Sequence, residues 1–202
     1  MKKIVITAIA AVLLFANMNG AKAAEKSAIL AGGCFWCMES DFEIVPGVKS
    51  VVSGYTGGTL KNPTYRNHGD HVEAVKIVFE DSEVSFERLL EIFWRSVDPT
   101  DAGGQFCDRG HSYTTAIFAD GEAQKLAAEK SKAQTQTAGK IQSPIVTPVL
   151  AASTFTDAED YHQDYYKKNP GRYSYYRRGC GRDARIEQLW GEEAHAGIKH
   201  GS

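Results

Sequence analysis

The chain predicts an α/β fold of the α+β kind. A mixed sheet with a split β-α-β-β-α-β core carries helices packed against it and ends in an irregular C-terminal tail. Three observations carry that expectation. Short runs rich in β-branched residues alternate with longer stretches of helical apolar spacing. Their order is strand, helix, strand, strand, helix, strand. Glycine and proline punctuate the joins, with no internal repeat and no low-complexity linker.

Residues 1–23 read as a signal peptide. Lys2 and Lys3 give a positive start, and the apolar run over 4–15 is too short to span a bilayer comfortably. Ala21-Lys22-Ala23 fits a small-residue cleavage site. Cleavage near Ala23 predicts export to the periplasm or a similar space, with no stable membrane span left; an uncleaved anchor is the alternative. Residues 24–202 are then expected to form a single domain, with 174–202 as its tail.

The chain has 23 basic and 25 acidic residues, a net charge of −2. Loss of Lys2, Lys3 and Lys22 lowers it to −5, and no basic stripe marks a nucleic-acid partner. The four cysteines are Cys34, Cys37, Cys107 and Cys180. In an oxidising compartment they could form two disulfides, and sequence does not choose among the three pairings. The histidines do not cluster at ligand spacing, and there is one CxxC, so no metal and no cofactor is expected.

The first strand is expected over 28–31. Gly32-Gly33 turns the chain, and Phe35, Met38, Phe42 and Val45 then repeat at helical spacing until Pro46-Gly47. Cys34 falls at the start of that helix. Free N–H groups and the positive dipole end favour an anion there, so its thiol is expected to have a lowered pKa. Cys37 lies one turn on, within disulfide reach. The pair reads as a redox site rather than a staple.

A second strand spans 48–54. The polar, glycine-rich loop after it runs to about 70, and such loops often carry function. Over 72–79, Glu73 alternates in phase with Val75, Ile77 and Phe79, on a strand buried on at least one face. Ser85 caps the next helix, with Arg88 where a capping box has Glu. Phe86, Leu89, Leu90, Phe93 and Val97 form its apolar side, and Asp98-Pro99 ends it. A polar loop over 100–112 leads to a strand at 113–119 and a helix from Asp120 to about Thr137. Residues 145–150 read as an edge strand, because Pro148 cannot sit in a sheet interior. A helix is expected over 157–168, ending at Asn169-Pro170-Gly171, and a last one around 186–190.

Gly33-Cys34-Phe35-Trp36 after a strand resembles the A class of peptide methionine sulfoxide reductases. Ser53-Gly54-Tyr55 with Gly57-Gly58, Asn62-Pro63-Thr64-Tyr65, His71-Val72-Glu73-Ala74-Val75 and Asp98-Pro99-Thr100 agree with it. So does Ala158-Glu159-Asp160-Tyr161-His162-Gln163-Asp164-Tyr165 followed by Asn169-Pro170. The resemblance runs from about Ile29 to Tyr173.

It implies thiol-dependent reduction of methionine sulfoxide, S epimer, free or in peptides and proteins. Cys34 attacks the sulfur, and Glu73 gives a proton or short hydrogen bond to the oxygen, which needs a pKa raised by burial. Tyr65 and Tyr113 are implied as hydroxyl donors to that oxygen, and Asp108 as an aspartate near the thiol. Phe35 and Trp36 form the wall for the substrate methyl, though by default both would be core, and only one face of their helix is expected to be buried. Tyr165 and Tyr173 line the opening. The first product is a sulfenic acid on Cys34. Some members place glycine at the position of Cys37 and a resolving cysteine in the tail, where this chain has Ser174. Cys37 therefore looks like the resolving thiol. Cys180, between two glycines on a mobile tail, is the other candidate and could pass oxidation outward. Cys107 reads as a small buried residue. A thioredoxin-like donor and a monomer are expected. The chain departs from the resemblance in the short segment with His68 and Asp70 and in His111-Ser112.

Two rivals remain. A general thiol–disulfide oxidoreductase would also place CxxC at a helix start, with Thr147-Pro148 as the loop opposite, but has no use for Glu73 or the tyrosines. A disulfide-stapled binding domain would leave Cys34 unreactive.

Overall fold

The structure, a computed structural model, describes residues 25–198. The expected signal peptide lies outside them. Fourteen helices and strands are named here. They run β1 Glu25–Gly32, α1 Phe35–Glu43, β2 Val48–Thr56, β3 Val72–Glu80 and α2 Phe86–Trp94. Next come β4 Gly104–Gln105, β5 Asp108–Arg109, β6 Thr115–Ala119, α3 Gly121–Thr137, β7 Val149–Ala151 and β8 Thr156–Asp157. The chain ends in α4 Tyr165–Lys168, α5 Pro170–Cys180 and α6 Arg182–Trp190.

The main sheet is ordered β7-β6-β1-β3-β2-β8. β3 runs antiparallel between β1 and β2, and β6 pairs antiparallel with the other side of β1. That is the split β-α-β-β-α-β core. β7 adds to β6 in parallel at the edge, where the Pro148 carbonyl accepts from the Ile117 N–H at 3.0 Å and its missing N–H leaves no ladder bond unmade. The strand is shorter than expected, because the backbone before it is held from elsewhere: Val146 N–H donates to the Pro99 carbonyl at 2.8 Å.

Period-two alternation sorts the faces of β3. Val75, Ile77 and Phe79 join the main core with Phe35, Met38, Phe42, Leu89, Leu90 and Phe93. Val72 and Ala74 face the other way, with Ala31, Ala116 and Phe118. Ser85 caps α2 through its Oγ, which accepts from Arg88 N at 3.1 Å.

Four expectations are corrected. Tyr113 lies in a 3-10 turn, His111–Tyr113, and the strand begins at Thr115. Residues 157–164 are not helical. Ala158 N–H extends the β-ladder to the Ser53 carbonyl (2.8 Å), and the Gln163 carboxamide pairs with both backbone groups of Ser53 at 2.9 Å. Asp164, at φ +52°, then breaks any helix before α4. The tail is not irregular, since α5 and α6 fill it. They cover the side of α1 away from the sheet, so α1 is buried nearly all round rather than on one face. Among the described residues no helix is long and apolar enough to cross a membrane.

Candidate active site

Cys34 sits where β1 ends and α1 begins. Gly33 turns the chain at φ +81°, where a side chain would be strained. A Cβ on Gly32 would lie 2.3 Å from Met38 Sδ and 2.9 Å from Val97 Cγ1. The Cys34 carbonyl accepts from the Cys37 and Met38 N–H groups at 3.1 and 3.3 Å, which starts the helix. The thiol is buried.

The sheet brings partners to it. Leu30 of β1 lies opposite Val75 of β3, so β3 begins beside the end of β1. Glu73 occupies that beginning, on the core face, 1% exposed. The Phe35 N–H donates to its Oε2 at 3.0 Å. Gly32 lies opposite Thr115, so the turn before β6 delivers Tyr113 to the same corner. Tyr65 comes from the loop after β2 and Asp108 from β5. With Cys34, Phe35, Trp36 and Tyr176 these residues line a pocket of about 50 Å³.

Burial is the main cause that lifts the Glu73 carboxyl to about 8; the Phe35 N–H opposes it, and the Asp108 and Cys37 charges add to it. Burial also raises Asp108, Tyr65 and Tyr113. The pocket therefore offers a carboxyl that keeps its proton at neutral pH beside two phenols.

The thiols ionise as a pair. Cys37 comes down to about 7 because Cys34 donates a hydrogen bond to it, and because Arg182 and Arg177 lie near; burial opposes this. Cys34 is pushed up by burial, then by Cys37 and Glu73, with a hydrogen bond from Tyr176 working the other way. The expected lowering at Cys34 is thus found at Cys37. The physical reason is visible: the Phe35 N–H at the helix start is engaged by Glu73, and the cations sit on the Cys37 side.

Those cations come from the tail. Arg177 spans Asp41 and Asp183, with Nη1 to Asp41 Oδ1 at 2.6 Å and Nη2 to Asp183 Oδ1 at 2.8 Å. Its Nη1 also donates to the Tyr173 hydroxyl at 2.9 Å. Arg182, fully buried, donates from Nη2 to the Gly32 carbonyl at 2.9 Å and to Met38 Sδ at 3.3 Å.

Of the expected rim, Tyr165 stacks on Trp36 at 3.7 Å and 6°. Tyr173 is not at the opening: it is buried and packs with Cys37. Trp36 Nε1 donates to His162 Nδ1 at 3.0 Å, so the neutral imidazole carries its proton on Nε2. The His162 ring packs against Phe35 and Tyr65. His68 clamps the two tyrosine loops, with Nε2 2.7 Å from Ser112 Oγ and Nδ1 3.2 Å from the Tyr65 carbonyl.

Cys180 carries no free thiol. It is bonded to Cys107, which is exposed rather than buried, across Cα atoms 4.8 Å apart. Cys34 and Cys37 are the free pair. Thr147-Pro148, the loop a disulfide exchanger would set against CxxC, is at the sheet edge instead, where the Thr147 and Thr115 hydroxyls meet at 2.8 Å.

Sequence reasoning missed Tyr176, Arg177 and Arg182 and gave His162 no role. His162 stood inside a quoted motif, but its partner is 126 residues away in sequence. The tail residues carried no local signal, since an Arg- and Tyr-rich segment reads equally well as a solvated surface.

A buried free thiol that shares a pocket with a carboxyl raised to about 8, with a second free thiol one helical turn behind it, is the site of a thiol oxidoreductase. Comparison with known proteins names the family. Residues 26–194 match the family model for peptide methionine sulfoxide reductase. The chain is 52% identical over 183 residues to peptide methionine sulfoxide reductase MsrA 2 of Rhizobium meliloti (strain 1021), covering 89% of this chain and 91% of that protein. The methionine sulfoxide reductase A structure from Corynebacterium diphtheriae is similar at a TM-score of 0.65 and 31% identity, over 74% of this chain and 77% of that one. Reduced Mxr1 from Saccharomyces cerevisiae is similar at 0.67 and 26%, over 73% and 87%. The chain belongs to the peptide methionine sulfoxide reductase family and is an oxidoreductase.

Proposed function

We propose that this chain reduces the S epimer of methionine sulfoxide, free or in proteins, through Cys34. The observation that carries the reading is the shared pocket. Cys34 lines it together with Glu73, whose burial holds a proton ready at neutral pH, and with Tyr65 and Tyr113. A sulfoxide sulfur becomes electrophilic when its oxygen is protonated or strongly hydrogen-bonded. Glu73 and the two phenols supply those donors, while Phe35 and Trp36 provide an apolar wall for the methyl group.

The Cys34 sulfur attacks and the S–O bond breaks. The substrate leaves as thioether, and the oxygen is balanced as a sulfenic acid on Cys34. The Cys37 thiol then condenses with it, forming the Cys34–Cys37 disulfide and releasing water. Cys37 is suited to this step because it is the more acidic thiol of the pair. A thioredoxin-like dithiol restores both thiols and is itself oxidised. Yeast Mxr1, a protein of this fold, has been solved in complex with Trx2. Cys37 is buried with Tyr173 against it, so exchange requires the α4–α5 segment to open.

We infer further that the chain acts as a monomer, as a single domain, after export and removal of residues 1–23. The Cys107–Cys180 disulfide supports an oxidising location. The test is single-turnover reaction of the pre-reduced protein with racemic N-acetylmethionine sulfoxide. Loss of the S epimer alone, with one N-acetylmethionine formed per chain, supports the reading. Disulfide exchange with no sulfoxide consumed contradicts it.

A further inference from the structure

We propose that Tyr176 is a catalytic residue of this chain and that the Cys107–Cys180 disulfide is the brace that positions it. The proposal rests on Cys34 being the attacking thiol. Tyr176 lines the Cys34 pocket, and its ring meets Trp36 edge-on at 5.9 Å and 83°. Its hydroxyl donates to Asp108 Oδ2 and also reaches the Cys34 sulfur. The Cys34 S–H is directed at Cys37, so the Tyr176 hydroxyl rests on Asp108. When the sulfur ionises, the same hydroxyl is placed to turn and donate to it.

The Asp108 half of the Tyr176–Asp108 contact has weak support of its own. Asp108 belongs to a two-residue strand between Gly104 and Gly110. Tyr176 is on α5 beside Arg177, which ties that helix to Asp41 and Asp183. One covalent bond braces Asp108 to α5. Cys107 is the neighbour of Asp108, and Cys180 lies one helical turn beyond Tyr176. The Cys107 N–H points at Cys180 Sγ as well, at 3.1 Å. A bridge whose only task was to shorten the unfolded chain could sit anywhere; this one sits directly behind Tyr176, which reaches the reactive sulfur, and Asp108, which holds the Tyr176 hydroxyl.

The test uses Tyr176→Phe, the Cys107→Ser/Cys180→Ser chain, and the two combined. The titrating groups facing Cys34 (Cys37, Glu73, Asp108, Tyr65 and Tyr113) stay unchanged in all of them. Two readouts are taken: the pH profile of Cys34 alkylation by iodoacetamide, mapped by peptide mass spectrometry, and the single-turnover rate on N-acetylmethionine sulfoxide. Tyr176→Phe is expected to move the alkylation profile to higher pH and slow turnover about tenfold, the scale of one hydrogen bond to a charged group. Loss of the bridge is expected to move both the same way by less, and to add nothing on the Tyr176→Phe background. Equal losses on both backgrounds would overturn the brace, and an unchanged Tyr176→Phe profile would overturn the catalytic role. A bridge-less chain with normal single turnover but failed donor-coupled recycling would overturn the brace in favour of an electron relay. Tyr176→Phe keeps ring and bridge, and decides the catalytic role if the bridge-less chain does not fold. A wild-type chain that consumes no sulfoxide would sink the proposed function, while the alkylation profiles would still judge Tyr176.

Discussion

The backbone N–H of Phe35 donates to Glu73 Oε2 at 3.0 Å. This contact takes up a donor at the start of α1 that a thiolate at Cys34 would otherwise claim. It turns the helix N-terminus into a holder of the acid rather than of the nucleophile, and it fixes the carboxyl against the thiol in the same pocket.

Glu73→Gln is predicted to keep that contact, because the amide oxygen can accept from Phe35, but to lose the proton. Single-turnover rate is expected to fall by about 10² to 10⁴, the range for general acid catalysis. In the wild type the acid works only while protonated, so the rate is expected to fall as pH rises through about 8. A stopped-flow pH series checks both. A Gln variant with the wild-type rate and profile would remove Glu73 from the chemistry.

The same group makes a stability prediction. Its folded pKa, about 8, lies above the ordinary carboxyl value of 4.5, so the folded state holds a proton that the unfolded state releases. Stability from this group is therefore full below about 4.5 and is lost as pH rises towards 8. Glu39, lifted to about 7 chiefly by burial, acts in the same sense. Chemical denaturation at acid and mildly alkaline pH is expected to show the Gln variant gaining on the wild type as pH rises. A constant difference would mean that Glu73 is ionised in the fold.

Much of this was legible beforehand because it depends on short-range pattern. Alternation along 72–79 put Glu73 on the face of Val75, Ile77 and Phe79, and the glycine pair announced the turn before Cys34. What was not legible depends on contacts distant in sequence. Gln163 pairing with Ser53 overrides the helical spacing of 157–168. Arg177 meeting Asp41 draws the tail over α1, 136 residues apart. The misplacement of the low thiol pKa has the same origin, because the cations that set it arrive with that tail.

Arg177 is 7% exposed and satisfies Asp41 on the Cys37 side of α1. Arg177→Ala leaves a buried carboxylate without this partner, and is expected to cost about 3 to 5 kcal/mol in a urea titration. It is also expected to raise the pH at which Cys37 alkylates, since a nearby positive charge is gone. A loss below about 1 kcal/mol, the level of a surface pair, would contradict the buried network.

Gly32→Ala puts a methyl 2.3 Å from Met38 Sδ in a packed core. The expected cost is about 1 to 3 kcal/mol in denaturant midpoint, the usual scale of overpacking. Pairing it with a smaller residue at Met38 is expected to recover part of that cost. No recovery would place the strain elsewhere.

The most direct test of the account is made on the Cys37→Ser protein, where the first step is separated from the second. Mixed once with S-methionine sulfoxide and no reductant, it is predicted to form one methionine per chain and to hold a sulfenic acid on Cys34, read by mass spectrometry after trapping with a carbon nucleophile. Methionine formed with Cys34 unmodified, or formed equally by a Cys34→Ala chain, would contradict it.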